Sequence, residues 1–283
     1  MRFTHPDKII FPDIKISKRD VLNYYQDIFP IISQFIKDRP ISIERYPRGI
    51  KELGFMQKHF RSVLPHWFHA FLLMNRKKDP TSYVSLDNKN TLQYLVQLNA
   101  VVFHMWLSKR ERINNPEFIV FDLDPVSARF IDLKNGSRII FDYFKSQNID
   151  SFIFITGSRG VHIYIPLKSI YSFETTKKYA SYVATLLTNT YPKLFTVETR
   201  KKNRHGKIFI DIARNAFGQT VVIPFSIRAY FNAPICFPVS WKVFFSRIHS
   251  AHDITILNYK KNILMAKKVL SDMTKTKNEI PKF

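Results

Sequence analysis

Phe118-Ile119-Val120-Phe121-Asp122-Leu123-Asp124-Pro125 combines a run of aliphatic and aromatic side chains with two acids. The apolar density predicts a core strand from Phe118 to Leu123. Side chains alternate along a strand, so Asp122 and Asp124 share one face while Phe121 and Leu123 take the other. Two carboxylates this close on an apolar strand repel unless a cation lies between them. An all-oxygen donor set suits Mg²⁺ or Mn²⁺. The same residues also fit a strand that merely ends at an Asp-Leu-Asp-Pro turn, because a D-x-D pair alone is a weak motif.

Working outward, Ser151–Thr156, Val161–Leu167, Lys207–Ile212 and Gln219–Ile223 carry the same strand signal. Helices fit between them at about 129–147 and 173–190. Hairpin-spaced strands mixed with helices predict an α+β fold with a mixed or antiparallel central sheet flanked by helices. Upstream, residues 19–37 read as a helix with Ser17 as its N-cap ahead of Asp20. Pro40 and Arg45-Tyr46-Pro47-Arg48-Gly49 break regular structure and mark a basic loop. Leu92, Leu95, Val96, Ala100 and Phe103 recur at helical spacing, which predicts a buried helix from Thr91 to Leu107. From Ser240 onward the chain reads as helical and Lys-rich. The expected organisation is a single domain over 1–283: an N-terminal lobe to about 90, a core over 91–240, a helical segment over 241–273, and a tail, 274–283, that frays.

A third acid stands in Lys207-Ile208-Phe209-Ile210-Asp211-Ile212, and a buried, unpaired Asp is costly. Asp211 either pairs with nearby Arg214 or completes a three-carboxylate metal site with Asp122 and Asp124. Two metals bridged by such acids would activate a primer 3′-hydroxyl and stabilise leaving pyrophosphate. Between two of the strands lies Thr156-Gly157-Ser158-Arg159-Gly160-Val161-His162. Its glycines permit positive φ and free backbone N–H groups to face an anion. Thr156, Ser158, Arg159 and His162 add side-chain donors. It is no Walker A loop, since no Gly-Lys-Ser/Thr follows and a strand replaces the helix. An ordinary hairpin turn is the other reading.

Composition points the same way. With 44 Lys and Arg against 22 Asp and Glu, the net charge is +22. That excess calls for a polyanionic partner, and nucleic acid releases counterions on meeting each cation. An anionic membrane surface is the rival, but the basic residues are scattered and not gathered on one amphipathic helix. The lone Cys236 excludes an intramolecular disulfide, and no cluster of soft ligands makes a zinc site. No signal-peptide h-region or membrane-length apolar run is found, so a soluble cytosolic protein is expected.

Taken together, these residues resemble the primase-polymerase domain of bacterial ligase D and its stand-alone relatives in non-homologous end joining, members of the archaeo-eukaryotic primase superfamily. The likeness runs through His5-Pro6-Asp7-Lys8, Arg45-Tyr46-Pro47, Phe55-Met56-Gln57-Lys58, the Asp122 and Thr156 motifs, Asp211-Ile212-Ala213-Arg214-Asn215, Gly218-Gln219-Thr220, Pro224-Phe225-Ser226-Ile227-Arg228-Ala229 and Pro238-Val239-Ser240-Trp241. The resemblance implies a primase-like fold. It makes Asp122, Asp124 and Asp211 the metal-binding catalytic acids and His104 an active-site histidine. Thr156, Ser158, Arg159, His162 and Arg228 would hold the incoming nucleotide. Lys8 and Lys18 would grip the 5′-phosphate beyond a DNA gap or break. Arg45, Phe55, Met56 and Lys58 would contact the template, and Arg204 would help arrange the primer end.

Four positions depart from the family pattern. Val102 stands where an acid usually sits two residues before the histidine. Met56 replaces a second aromatic, Thr156 a Ser, and Arg159 a Lys; each of these three keeps its stacking or polar role. The expected activity is a template-directed polymerase and primase using Mn²⁺ or Mg²⁺ in a two-metal site with NTP or dNTP. It would fill gaps and extend 3′ ends at breaks, preferring ribonucleotides, in the cytoplasm at the nucleoid. Its expected partners are gapped or broken DNA bearing a 5′-phosphate, Ku, and a separate DNA ligase. A non-catalytic DNA-end-binding module and a metal-dependent nuclease are the alternatives.

Overall fold

The structure is a computed structural model that describes residues 3–60, 64–74, 79–125 and 128–283. Strand β1 (Ile9–Phe11) and β2 (Ile16–Ser17) form a small ribbon leading into α1 (Lys18–Ile36). Ser17 caps that helix as the sequence predicts. Its hydroxyl accepts the Asp20 N–H while the Asp20 carboxylate accepts the Ser17 N–H, a reciprocal capping box. Then follow β3 (Ile41–Arg45), β4 (Phe55–Gln57), β5 (Ala70–Met74), β6 (Pro80–Val84), α2 (Lys89–Gln97) and β7 (Ala100–Trp106). The second half of the chain comprises β8 (Phe118–Asp124), α3 (Phe130–Ser146), β9 (Phe152–Ile155), β10 (Val161–Pro166), α4 (Phe173–Thr190), β11 (Phe195–Thr196), β12 (Ile208–Asp211), β13 (Thr220–Val222), β14 (Phe237–Val239), α5 (Trp241–Arg247) and α6 (Ile263–Lys275).

The strands assemble into two six-stranded sheets. One runs β11-β12-β8-β10-β9-β14 and is mixed: β11 and β12 are parallel and the other pairs antiparallel. The other runs β13-β7-β3-β6-β5, with β4 added against β3. Because β3, β5 and β6 pair into the same sheet as β7 and β13, this sheet crosses the lobe boundary expected near residue 90. Helices α3, α4, α5 and α6 pack on the first sheet, and α1 lies against α2 and α6.

Two expectations need correction. The segment Thr91–Leu107 is a helix only as far as Gln97; Asn99 takes a left-handed φ of 62° and the chain returns as β7. Six of the seven β7 residues are buried, so no polar alternation marks it as a strand, and a continuous apolar run matches a buried helix equally well. Its Val101-Val102-Phe103 core favours the extended form. The tail expected to fray is docked. Thr274 and Lys275 close α6, and Asn278 bonds Pro166 and Asp150 by backbone and side chain. Phe283 lies edge-on to Tyr179 with ring centroids 5.2 Å apart.

Candidate active site

Strand β8 is central in its sheet, and its neighbours decide what Asp122 faces. Asp122 pairs in register with His162 of β10 on one side and Asp211 of β12 on the other, while Asp124 pairs with Phe209. Directly opposed residues of antiparallel strands project to the same side, so all three acids and His162 share one face. Five apolar residues of β8 are buried, and only the two acids are partly open.

That face floors a cavity of about 270 Å³. His104, Asp122, Asp124, Thr156, Ser158, Arg159, His162, Arg204, Asp211 and Arg228 all line it. Every residue assigned to catalysis or nucleotide binding from sequence therefore meets in one place. His104 arrives from the other sheet, on β7.

The carboxylates are held by cations. Arg159 Nη2 and Arg204 Nη1 lie 3.1 and 3.4 Å from Asp124 Oδ2. Arg214 Nε stands 3.7 Å from Asp122 and 4.0 Å from Asp211. His162 Nε2 is 3.6 Å from Asp122. Burial pushes the Asp122 carboxyl up, but His162, Arg214 and Arg228 outweigh it and hold the group below its usual range. Of the two readings of Asp211, the pairing with Arg214 is seen, though at the limit of an ion pair, and Asp211 also accepts the Ala213 N–H at 2.8 Å.

The turn from Thr156 to His162, the candidate phosphate turn, closes tightly on itself. Thr156 donates its N–H and hydroxyl to the Gly160 carbonyl, and the Ser158 N–H returns to the Thr156 hydroxyl. A Cβ at Gly160 would sit 1.8 Å from the Leu123 carbonyl oxygen, so the turn presses against β8 where only hydrogen fits. Arg228 reaches back to the Thr156 carbonyl at 3.5 Å.

The sequence matches the family described as LigD, primase-polymerase domain, over residues 17–269. The chain belongs to this family. The bifunctional non-homologous end joining protein LigD of Bacillus subtilis is 29% identical over 243 residues, which cover 85% of this chain and 39% of that protein. The multifunctional LigD of Mycolicibacterium smegmatis is 27% identical, over 85% of this chain and 32% of its own length. The chain thus spans roughly a third of the curated relatives it matches. The polymerase domain of Mycobacterium tuberculosis ligase D, solved in complex with DNA, superposes with a TM-score of 0.89 at 23% identity, over 98% of this chain and 99% of that one, which establishes the shared fold.

Of the remaining positions singled out from sequence, Lys8, Lys18, Arg45, Phe55, Met56 and Lys58 lie outside the cavity of this LigD-type chain, whereas Arg204 lines it. Lys18 is buried. Its ammonium donates to the carbonyls of Thr4 and Gln97 at 3.1 and 2.9 Å. Burial, and then the charge of Lys8 nearby, lower its pKa, so the two lysines are brought together. The Lys8 ammonium caps the Pro47 carbonyl. Arg45 stacks over Phe55 with 5.1 Å to the ring centroid and bonds Leu98 and Gln57. Phe55, Met56 and Lys58 are exposed on and beside β4. Successive strand residues face opposite ways, so Phe55 shares the face of Arg45 and Met56 that of Glu44. Arg204 is not a free loop side chain; it is buried over the Phe209 ring and bonded to the Glu198 and Thr199 carbonyls.

Sequence reasoning missed three features. Glu44 lies 2.7 Å from His104 Nε2. Phe209, on β12, backs Arg204. Tyr230 meets the Ser158 hydroxyl at 2.6 Å. None carries a local motif: Glu44 and Tyr230 depend on partners 60 and 72 residues away, and Phe209 meets Arg204 only once the intervening loop has folded back.

Proposed function

We propose that the chain is a template-directed nucleotidyl transferase that adds nucleotides, ribonucleotides by preference, to primer 3′ ends in gap filling and end joining. One observation carries this reading: Asp211, Asp122 and His162 stand in a single cross-strand row, with Asp124 beside them, facing the same cavity as the phosphate turn. A carboxylate face beside an anion-binding turn is what a nucleoside triphosphate and its metal require together.

Asp122, Asp124 and Asp211 would hold Mn²⁺ or Mg²⁺, and the all-oxygen donor set fits these hard ions. Among the described residues no three acid, histidine or cysteine side chains already converge as a metal cluster; guanidinium groups balance the carboxylates instead. Bound there, a divalent ion supplies charge neutralisation for the transferred phosphoryl group and makes a hydroxyl more nucleophilic. Arg159, Arg204 and Arg214, which lie against these aspartates, would together with Arg228 and Ser158 offer donors to phosphate oxygens in the same cavity. Lys8 and Lys18 would hold a downstream 5′-phosphate, and Arg45, Phe55, Met56 and Lys58 the template. Ku and a separate ligase are the proposed partners, at the nucleoid. Among the described residues no helix is long and apolar enough to cross a membrane.

The test is primer extension on a gapped duplex carrying a 5′-phosphate, with Mn²⁺ or Mg²⁺ and each nucleotide type. Extension by the wild-type chain is expected, with loss on chelation and a fall of about a hundredfold or more in Asp124→Ala. Primer shortening would favour a nuclease, and unchanged extension by Asp124→Ala would refute the site assignment.

A further inference from the structure

His104 is the only residue of β7 that is not buried, and it lines the cavity. Its Nε2 lies 2.7 Å from Oε1 of Glu44 on the neighbouring strand β3. Oε2 of the same carboxylate accepts the Tyr46 hydroxyl at 3.0 Å. Glu44 is thus clamped on both oxygens. Register explains the meeting. Glu44 pairs with Val102 across β3 and β7, and Ser42 pairs with His104, so Glu44, Val102 and His104 project to one face. Val102 is apolar and fully buried. Ser42, directly opposite His104, has a buried hydroxyl that makes no hydrogen bond. Among the described residues, the His104 ring therefore has one hydrogen-bond partner, Glu44, and Nδ1 has none.

We infer that Glu44 is the positioning residue for His104: its carboxylate fixes the imidazole as the Nε2–H tautomer and leaves Nδ1 as a lone-pair acceptor for a substrate hydroxyl in the cavity. The nitrogen that carries the proton is set by the hydrogen bond the ring makes. The ionisation states agree. Burial lowers the His104 pKa more than Glu44 raises it, with Arg228 and Arg214 adding to the decrease, so the ring is neutral. Burial raises that of Glu44, but His104, Tyr46 and Arg228 outweigh it and keep the carboxylate ionised. A neutral ring that donates to a carboxylate cannot also donate to substrate.

The role of His104 toward substrate rests on the polymerase reading; the tautomer does not, and the two are measured separately. In full-length ¹⁵N-histidine-labelled protein, with His104→Gln used to assign the ring, His104 is expected as the Nε2–H tautomer. Glu44→Ala is expected to lose that preference and to extend primers at least about tenfold more slowly, the lower end of the cost of removing the outer partner of a metal-bound histidine. Glu44→Gln retains an acceptor oxygen and is expected to keep the tautomer and stay within about threefold of wild type. If alanine costs the fold, as judged by circular dichroism, Glu44→Leu, closer in volume, takes its place. An Nδ1–H ring in the wild type, wild-type turnover in the alanine or leucine variant, or equal losses in that variant and Glu44→Gln would each overturn the inference. Absence of extension by the wild type would instead refute the polymerase reading and leave the tautomer measurement standing.

Discussion

Gly160 is the tightest single position beside the cavity. Any side chain there meets the Leu123 carbonyl, and the strand that must yield is the one carrying Asp122 and Asp124. Gly157 adds a second constraint, with φ of 64° and the Ile235 backbone 2.7 Å from a would-be Cβ. Gly160→Ala is therefore expected to cost about 3 kcal/mol or more in urea unfolding, the upper range for overpacking. Extension should fall further than the stability loss explains, because β8 shifts with the turn. An alanine variant of wild-type stability would contradict the 1.8 Å approach. At this scale Asp122 and Asp124 were legible from alternation alone, and the turn from its two glycines. Glu44 was not. Nothing in its own neighbourhood marks it, and its partner His104 is distant in sequence and adjacent only through strand register.

Between elements, the Arg39–Glu117 pair ties the end of α1 to the entrance of β8. The Arg39 guanidinium is almost wholly buried, bonds the Phe35 and Leu107 carbonyls, packs over the Phe118 ring, and meets Glu117 in a salt bridge. Removing one member of a buried pair strands the other charge. Glu117→Ala is expected to destabilise the fold by about 3 kcal/mol, read as a shift in the urea midpoint. Burial raises the Glu117 carboxyl, but Arg39, Lys109 and Lys277 outweigh it and lower its pKa from 4.5. A depressed folded-state value means the contribution is complete above pH 4.5 and is lost as pH falls through the folded value. Wild-type stability should thus fall steeply in that acidic window, and Glu117→Ala should show a flatter profile there. An identical acid limb in both would argue against the pair. The capping box of α1 was readable from Ser17 and Asp20 in the sequence, whereas β7 was not, since burial on both faces erases the alternation that identifies a strand.

Across the whole molecule, a net charge of +22 coexists with three carboxylates on the cavity floor, so the proposed polyanionic partner would meet the basic excess beyond the site. Lys8 and Lys18, outside the cavity, are the proposed 5′-phosphate contacts. Two ammonium groups held close, one of them buried, form a site that an anion would relieve. Lys8→Gln is expected to reduce the preference for a 5′-phosphorylated over a 5′-hydroxyl gap by about tenfold, the worth of one charge-assisted contact, with little change on a primer lacking a downstream strand. Equal loss on both substrates would place Lys8 elsewhere in DNA binding. The C-terminal tail also belongs to this scale: polar and basic by composition, it is held by Asn278 against β10 and by Phe283 against α4.

By itself the sequence determined the elements whose signals are local: the β8 strand with its two acids on one face, the turn from Thr156 to His162, the capped helix α1, the α+β class and the large basic excess. Periodicity, glycine freedom and net charge act within a few residues or over the whole chain, so they survive in one dimension. Tertiary structure decided the rest. It placed Asp211 beside Asp122, brought His104 from a second sheet into the cavity, gave it Glu44, buried Lys18 and Arg204, and turned 100–106 into a strand. Each depends on strand register or on burial against distant segments, and neither quantity is defined until the chain has packed.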